Sequence, residues 1–218
     1  MTMNKYWREY IESLLIAIFL ALVVRTYVLT GYKVPTISMA PTLIPGDFIF
    51  VYKLPYGFKL PFVEKKWGVS PPQVGDVVAF SFPDQPRVQY VKRVAGLEGD
   101  RIEIKKGQLY RNGEALIFDF QKTQTQVEQF FGDSSAAGEG EEFGPVVIPK
   151  EHAFLIGDNR LVSDDSRYWG TVPFERIEGK VVMTWFSFGD SYLEKNSSEN
   201  KSNAGFKVRW DRMLKSVH

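Results

Sequence analysis

Hydrolysis by a side-chain nucleophile needs an exposed hydroxyl or thiol, a base that takes its proton, and donors for the oxyanion. The chain has no cysteine, which excludes a thiolate nucleophile, a disulfide framework and a Cys-ligated zinc site. Its two histidines are His152 and His218. His218 is the final residue, where chains fray, and His152 sits in PKEHAFL, where pairing with a surface carboxylate is the expected role. Lysine is the remaining base. A side chain of pKa about 10.4 is neutral at pH 7 in roughly 1 molecule in 2,500, and burial among apolar groups lowers that pKa. Lys92 in VQYVKRVA (88–95) meets the requirement, because alternation puts Tyr90, Lys92 and Val94 on one face and Val91, Arg93 and Ala95 on the other. Periodicity alone leaves a solvated edge-strand lysine open. On the hydroxyl side, Val34–Leu43 reads VPTISMAPTL. Ser38 follows Thr36 by two positions, so an extended backbone aims both hydroxyls the same way. One then attacks while the other donates to the oxyanion beside the Ser38 N–H. An ordinary turn serine is the plain alternative.

Strands must position these groups. FIFVYKL (48–54), DVVAFSF (76–82), VQYVKRVA (88–95), RIEIKKG (101–107) and KVVMTWFSF (180–188) are rich in Val, Ile, Phe and Tyr, and turn residues bound them. QLYRNGEAL (108–116) carries Asn112-Gly113 between two short runs, a type I′ hairpin signal. No long 3.6-residue period follows residue 30, so the fold beyond it reads as mainly β. The segments 55–72, 132–144 and 190–205 read as loops, and FKVRWDRMLKSVH at the end regains apolar character. With 27 Lys plus Arg against 26 Asp plus Glu, the chain has no charge excess to suggest a nucleic-acid partner.

Ahead of the strands, LLIAIFLALVV (14–24) is free of charge, and widened to Ile11–Leu29 it is long enough to cross a bilayer. Tyr6, Trp7 and Tyr10 before it, and Tyr27 and Tyr32 after it, are placed as interfacial belts. A cleaved signal peptide or a buried core helix are the alternatives, but RTYVLTGYKVP offers no small-x-small cleavage site, so the expectation is an uncleaved single-span anchor. Ser38 lies nine residues beyond Leu29, and an extended tether of that length reaches about 30 Å. The nucleophile therefore works near the bilayer surface, and YGFKLPF (56–62) is a candidate to dip into the interface.

SMAPTL (38–43), GDVVAF (75–80), YVKRVAGLEGD (90–100) and GDNRLVSDDSRYWG (157–170) follow in that order behind the anchor. Together they resemble the type I signal peptidases (leader peptidases), membrane-bound serine proteases with a Ser/Lys dyad. The resemblance covers the anchor and most of 31–188, and is weak over 55–72, 117–147 and 190–207. It implies a coiled, barrel-like β-sheet catalytic domain carrying one N-terminal transmembrane helix. The corresponding organisation is a short cytoplasmic segment 1–10, an anchor 11–30, and an extracytoplasmic protease domain 31–189 with a variable insertion near 105–150. A polar loop 190–207 and a returning C-terminal segment 208–218 complete it.

Carried over position by position, the resemblance implies that Ser38 is the nucleophile and Lys92 the general base, with Ser163 orienting the lysine. Thr36 stands where the family often has an oxyanion-hole serine, and its extra methyl stiffens χ1. Asp165 and Arg167 match the supporting pair, with Asp158, Asn159, Arg160 and Arg93 structural. Tyr32, Val34, Met39, Leu43, Tyr90 and Val91 fall where the family lines its S1 and S3 pockets. Glu98 departs from the proline of GLPGD, which puts the rigidity of that loop in question. The implied activity is removal of signal peptides from secreted preproteins after Ala-x-Ala, with no metal or organic cofactor. The implied partners are preproteins, the lipid bilayer and the protein-translocation machinery. The implied place is the bacterial cytoplasmic membrane, with the catalytic domain outside the cytoplasm. Two other readings stand beside it. One is a catalytically specialised or inactive envelope homologue that processes or binds a single partner, of which the form that only binds has no need of the intact Ser38, Lys92 and Ser163. A self-processing regulator with a Ser/Lys dyad would carry a DNA-binding head and no anchor.

Overall fold

The computed structural model describes residues 5–59, 66–82, 85–119, 142–189 and 207–217. The expected loops at 132–141 and 190–206, the end of the 56–62 segment and His218 lie outside the described residues.

Helix α1 (Lys5–Val23) continues through a π-helical turn, Val24–Val28, directly into strand β1 (Leu29–Lys33). Its apolar side chains point outward on every side, with Leu14, Phe19 and Leu20 all more than half exposed. A helix apolar all round has to be covered by something other than water. The stretch Tyr6–Val28 has the length and composition to cross a membrane, starting upstream of the predicted 11–30. The same stretch ends before Leu29 and Thr30, which belong to β1.

After β1 come β2 (Asp47–Tyr52), β3 (Phe58–Lys59), β4 (Lys66–Trp67), β5 (Val77–Phe82), β6 (Gln85–Leu97), β7 (Arg101–Lys105), β8 (Gln108–Arg111) and β9 (Glu114–Ala115). Then follow β10 (Phe143–Val147), β11 (His152–Ile156), the helical turn α2 (Ser166–Trp169), β12 (Val172–Pro173), β13 (Ile177–Gly189), β14 (Lys207–Val208) and β15 (Lys215–Ser216). One large sheet carries the order β1-β2-β13-β5-β6-β11-β12, with β14 and β15 also paired to β13. Its pairings are antiparallel. Strand β13 shifts register twice against β2 and once against β5. Each such bulge bends a strand and increases its twist, so the sheet curls. Burial along β2 alternates: Asp47, Ile49 and Val51 are buried, while Phe48, Phe50 and Tyr52 are half-exposed, the period of a strand covered on one face.

A second sheet, β10-β7-β8-β9, holds the predicted hairpin. Asn112 (φ 55°) and Gly113 (φ 87°) both adopt the left-handed conformation that a type I′ turn requires. The Glu98 substitution has a structural answer as well, since its carboxylate accepts the Glu151 N–H at 2.8 Å. That bond ties the 97–100 turn to the turn ahead of β11, which constrains the loop without a proline.

The C-terminal segment returns to the domain as the sequence suggests, and it clamps the loop behind Ser38. Buried Arg212 donates to Asp47 Oδ2 (2.6 Å) and to the carbonyl of Thr42 (2.9 Å). Arg209 donates to the carbonyl of Pro45 (2.6 Å) and to Ser187 Oγ (2.9 Å). Val217 closes the cluster of Val34, Met39, Leu43, Ile49 and Val51 beneath that loop.

Candidate active site

Ser38 sits on the chain leaving β1, and backbone bonds pin that chain on two sides. Val34 N–H donates to the Asp47 carbonyl, and Gly46 N–H donates to that of Val34. The Asn159 N–H donates to the Ser38 carbonyl (3.1 Å) and its side-chain amide to the Ile37 carbonyl (3.3 Å). Met39 and Leu43 plug into the core immediately after the serine. The Ser38 side chain is left half-exposed on a backbone held from below and from one flank.

Lys92 comes from β6, opposite Val78 of β5. Its Nζ donates to Ser38 Oγ at 2.8 Å, across 54 residues of sequence. The lysine is 4% exposed. Burial in this apolar setting pulls its pKa below the usual 10.5. The carboxylates of Asp165, Asp164 and Asp158 work against that shift, and the Arg167 guanidinium adds to it. Desolvation prevails because the ammonium has lost almost all contact with water. Thr36 Oγ1 lies 3.4 Å from Ser38 Oγ, so the two hydroxyls share one side of the extended segment.

The 157–167 loop packs behind this pair. Asp165 and Arg167 form a buried two-pronged ion pair, Nε to Oδ1 at 2.7 Å and Nη2 to Oδ2 at 2.8 Å. Asp165 Oδ2 also accepts from the Gly157 N–H (2.9 Å), and Arg167 Nη2 donates to the carbonyls of Arg160 and Ser163. Arg93, on the face opposite Lys92, makes a second bidentate pair with Asp158, both bonds 2.8 Å. Thr42 reaches the same carboxylate from the nucleophile loop (2.5 Å). Ser163 is buried, and its hydroxyl makes no hydrogen bond to another described residue. It lies against Gly157, where an added Cβ would come within 2.1 Å of Ser163 Oγ and 2.6 Å of the Ser38 carbonyl oxygen. Gly157→Ala is therefore expected to displace both serines. The expected outcome is a loss of about 1–3 kcal/mol in a denaturant titration and at least a ten-fold fall in turnover. Unchanged turnover would mean that the contact relaxes without moving Ser38.

Of the six residues expected to line pockets, Tyr32, Val34, Met39, Leu43 and Val91 share one cluster under the nucleophile loop. Tyr90 packs elsewhere, against Phe80, whose ring in turn meets Trp169. His152 is on β11, where its Nδ1 lies 2.7 Å from the Lys150 carbonyl, so its partner there is a backbone oxygen.

Two strand edges border the Lys92–Ser38 contact. Among the described residues β1 pairs with β2 only, which leaves its other edge open. Gln89–Lys92 of β6 pair with β5, and β11 joins β6 only from Arg93 onward. A groove bordered by two open edges and ending at Ser38 suits an extended peptide, which adds main-chain hydrogen bonds along a strand. Glu178 of β13 joins the two borders by accepting from the Tyr32 hydroxyl (3.2 Å) and from Gln89 Nε2 (2.9 Å). Sequence reasoning passes over Glu178, Gln89, Arg209 and Arg212. Gln89 and Glu178 meet across 89 residues, and Arg212 reaches Thr42 across 170, so no local spacing reveals them.

A family model described as signal peptidase, peptidase S26 matches residues 7–186. A signal peptidase I of Pseudomonas aeruginosa is 35% identical, with 84% of this chain and 73% of the relative covered. A probable signal peptidase I-1 of Synechocystis sp. is 31% identical and covers 84% of each chain. A solved signal peptidase I from Enterococcus faecalis is 30% identical over 51% of this chain and 97% of that one, with a TM-score of 0.43. With a family model matching residues 7–186 and relatives 31–35% identical over most of both chains, the chain belongs to the signal peptidase family of serine peptidases, S26.

Proposed function

We propose that this membrane-anchored enzyme removes signal peptides from preproteins with Ser38 as nucleophile and Lys92 as general base. The observation that carries the reading is the 2.8 Å contact between Lys92 Nζ and Ser38 Oγ, made by a lysine that burial drives toward its neutral form. Neutral Lys92 accepts the Ser38 proton as Oγ attacks the scissile carbonyl carbon, and the carbonyl electrons move onto oxygen. The Ser38 N–H and the Thr36 hydroxyl stabilise that oxyanion. The tetrahedral intermediate collapses as the Lys92 ammonium protonates the leaving amine, which gives an acyl-Ser38 ester and a free mature N-terminus. Lys92 then takes a proton from water as that water attacks the ester carbon. When the C–Oγ bond breaks, the Lys92 ammonium returns that proton to Ser38 Oγ and the signal peptide leaves with its new carboxylate. The Asp165–Arg167 pair holds the loop that carries Ser163, whose hydroxyl is proposed to orient the lysine as the reaction proceeds.

The signal peptide lies extended in the groove, with the side chain at the cut against Val34, Met39, Leu43 and Val91. Small side chains fit there best, because that cluster is already closed over by the core. The proposed setting is the bacterial cytoplasmic membrane with the sheet on its outer side, where preproteins arrive from the translocation machinery.

The test is direct. The full chain in lipid vesicles, mixed with a purified preprotein bearing Ala-x-Ala, is expected to give two products that mass spectrometry assigns to a single cut after the second Ala. An intact preprotein after prolonged incubation with folded enzyme would overturn the reading.

A further inference from the structure

Glu178 orients the Gln89 side chain. A carboxylate only accepts, so the amide nitrogen must face it and the amide oxygen must face away. That oxygen, Oε1, is buried and has no hydrogen-bond partner among the described residues. An unpaired buried acceptor is costly, and such groups are few in native proteins. The neighbouring hydroxyl of Tyr32 is kept protonated, since burial and the adjacent carboxylate raise its pKa.

Charge chooses the kind of donor that completes the group. Lys66 of β4 donates to the Ile177 carbonyl beside Glu178. Burial lowers the Lys66 pKa to about 8, so it is still largely cationic at neutral pH and offsets the carboxylate. An arriving ammonium or guanidinium would meet that cation, whereas a neutral hydroxyl would not.

Position along the groove follows from alternation. Tyr32 precedes Val34 by two residues and Gln89 precedes Val91 by two, so each pair shares a face. If the side chain at the cut sits between Val34 and Val91, the residue two positions before it sits between Tyr32 and Gln89.

We propose that Gln89, Tyr32 and Glu178 form a polar subsite that selects a hydroxyl-bearing residue, serine or threonine, two positions before the residue at the cut. The assignment rests on the function proposed above and adds to it a side-chain preference that small size alone does not impose. Gln89 Oε1 accepts the substrate hydroxyl proton, and Glu178 keeps the amide turned to receive it.

The experiment uses three preproteins that differ only at that position, carrying alanine, threonine or valine. Threonine and valine have nearly the same shape, so their ratio isolates the hydroxyl. The parent is expected to cleave the threonine substrate with a kcat/KM about ten-fold above the valine substrate. Gln89→Leu is expected to bring that ratio to one or below, and Gln89→Met provides the same comparison should the leucine variant misfold. Equal threonine and valine rates in the parent, with all three substrates cut, overturn the subsite and leave the protease reading standing. Failure to cut even the alanine substrate overturns both.

Discussion

Lys92→Met is expected to lower preprotein cleavage by about a thousand-fold or more while the protein stays folded. Methionine nearly matches the lysine stem in length and places no charge in the pocket, so packing around position 92 is preserved while Ser38 Oγ loses its proton acceptor. Lys92→Arg is expected to fail as well, because guanidinium does not deprotonate in the accessible range. The parent's pH dependence carries the same signature. The proposed mechanism requires the neutral amine, so kcat/KM is expected to rise as pH climbs through the pKa of Lys92 in the folded enzyme, a midpoint that burial places below 10.5. Stability moves in the same direction. The folded pKa is depressed, so between it and the unfolded value the unfolded chain binds more protons and stability increases with pH. Lys92→Met removes that increase. Denaturant titrations of parent and variant across the window measure it, alongside the cleavage rates. A variant retaining a tenth or more of parental kcat/KM would remove Lys92 from the chemistry.

Asp165→Ala is expected to cost about 3–5 kcal/mol of stability, the size typical when one partner of a buried ion pair is removed. Arg167 Nε is left without its 2.7 Å partner in a site where the two side chains are 3% and 0% exposed. The Gly157 N–H loses its acceptor at the same time. Urea denaturation reads the loss through the midpoint. Asp165→Ala combined with Arg167→Met is expected to recover part of it, because the stranded guanidinium disappears with its partner. Whatever folded enzyme survives Asp165→Ala is expected to show its acid limb at lower pH, since Asp165 is the carboxylate that most opposes the lowering of the Lys92 pKa. A single-variant loss below about 1 kcal/mol would show that water reaches the pair and solvates it.

Much of this arrangement is legible before any coordinates. Strands β5, β6 and β13 follow from runs of Val, Ile and Phe bounded by Gly, Pro and Asp. The Asn112-Gly113 turn follows from two residues that tolerate positive φ. Alternation alone separates Lys92 from Arg93, and the structure sends the first to Ser38 and the second to Asp158. Meeting across the fold is another matter. Periodicity leaves Lys92 as either a base or a solvated edge residue, and only pairing over 54 residues brings it to Ser38. Tyr90 and Val91 are neighbours in sequence that face opposite ways on the strand, and they pack into different clusters. The grip of Arg212 on Asp47 and Thr42, and the Glu178 bridge across the groove, depend on partners that no local pattern connects. The start of the anchor helix is also poorly marked. Lys5, Arg8, Glu9 and Glu12 interrupt the apolar run, yet the backbone is helical through them, and Arg8 and Glu12 pair one turn apart.

The passage from α1 through Val24–Val28 into β1 contains no slack. The Thr30 hydroxyl donates to the Arg25 carbonyl, and Lys53 N–H of the sheet reaches back to the Val28 carbonyl. A stem built this way ties the first strand of the sheet to the end of α1, so with α1 in a membrane, as proposed, it would set the altitude of the sheet above the lipid. On the proposed reading, scissile bonds held too deep or too far out would escape Ser38 whatever their sequence, and the height at which a peptide emerges would become a selection criterion of its own.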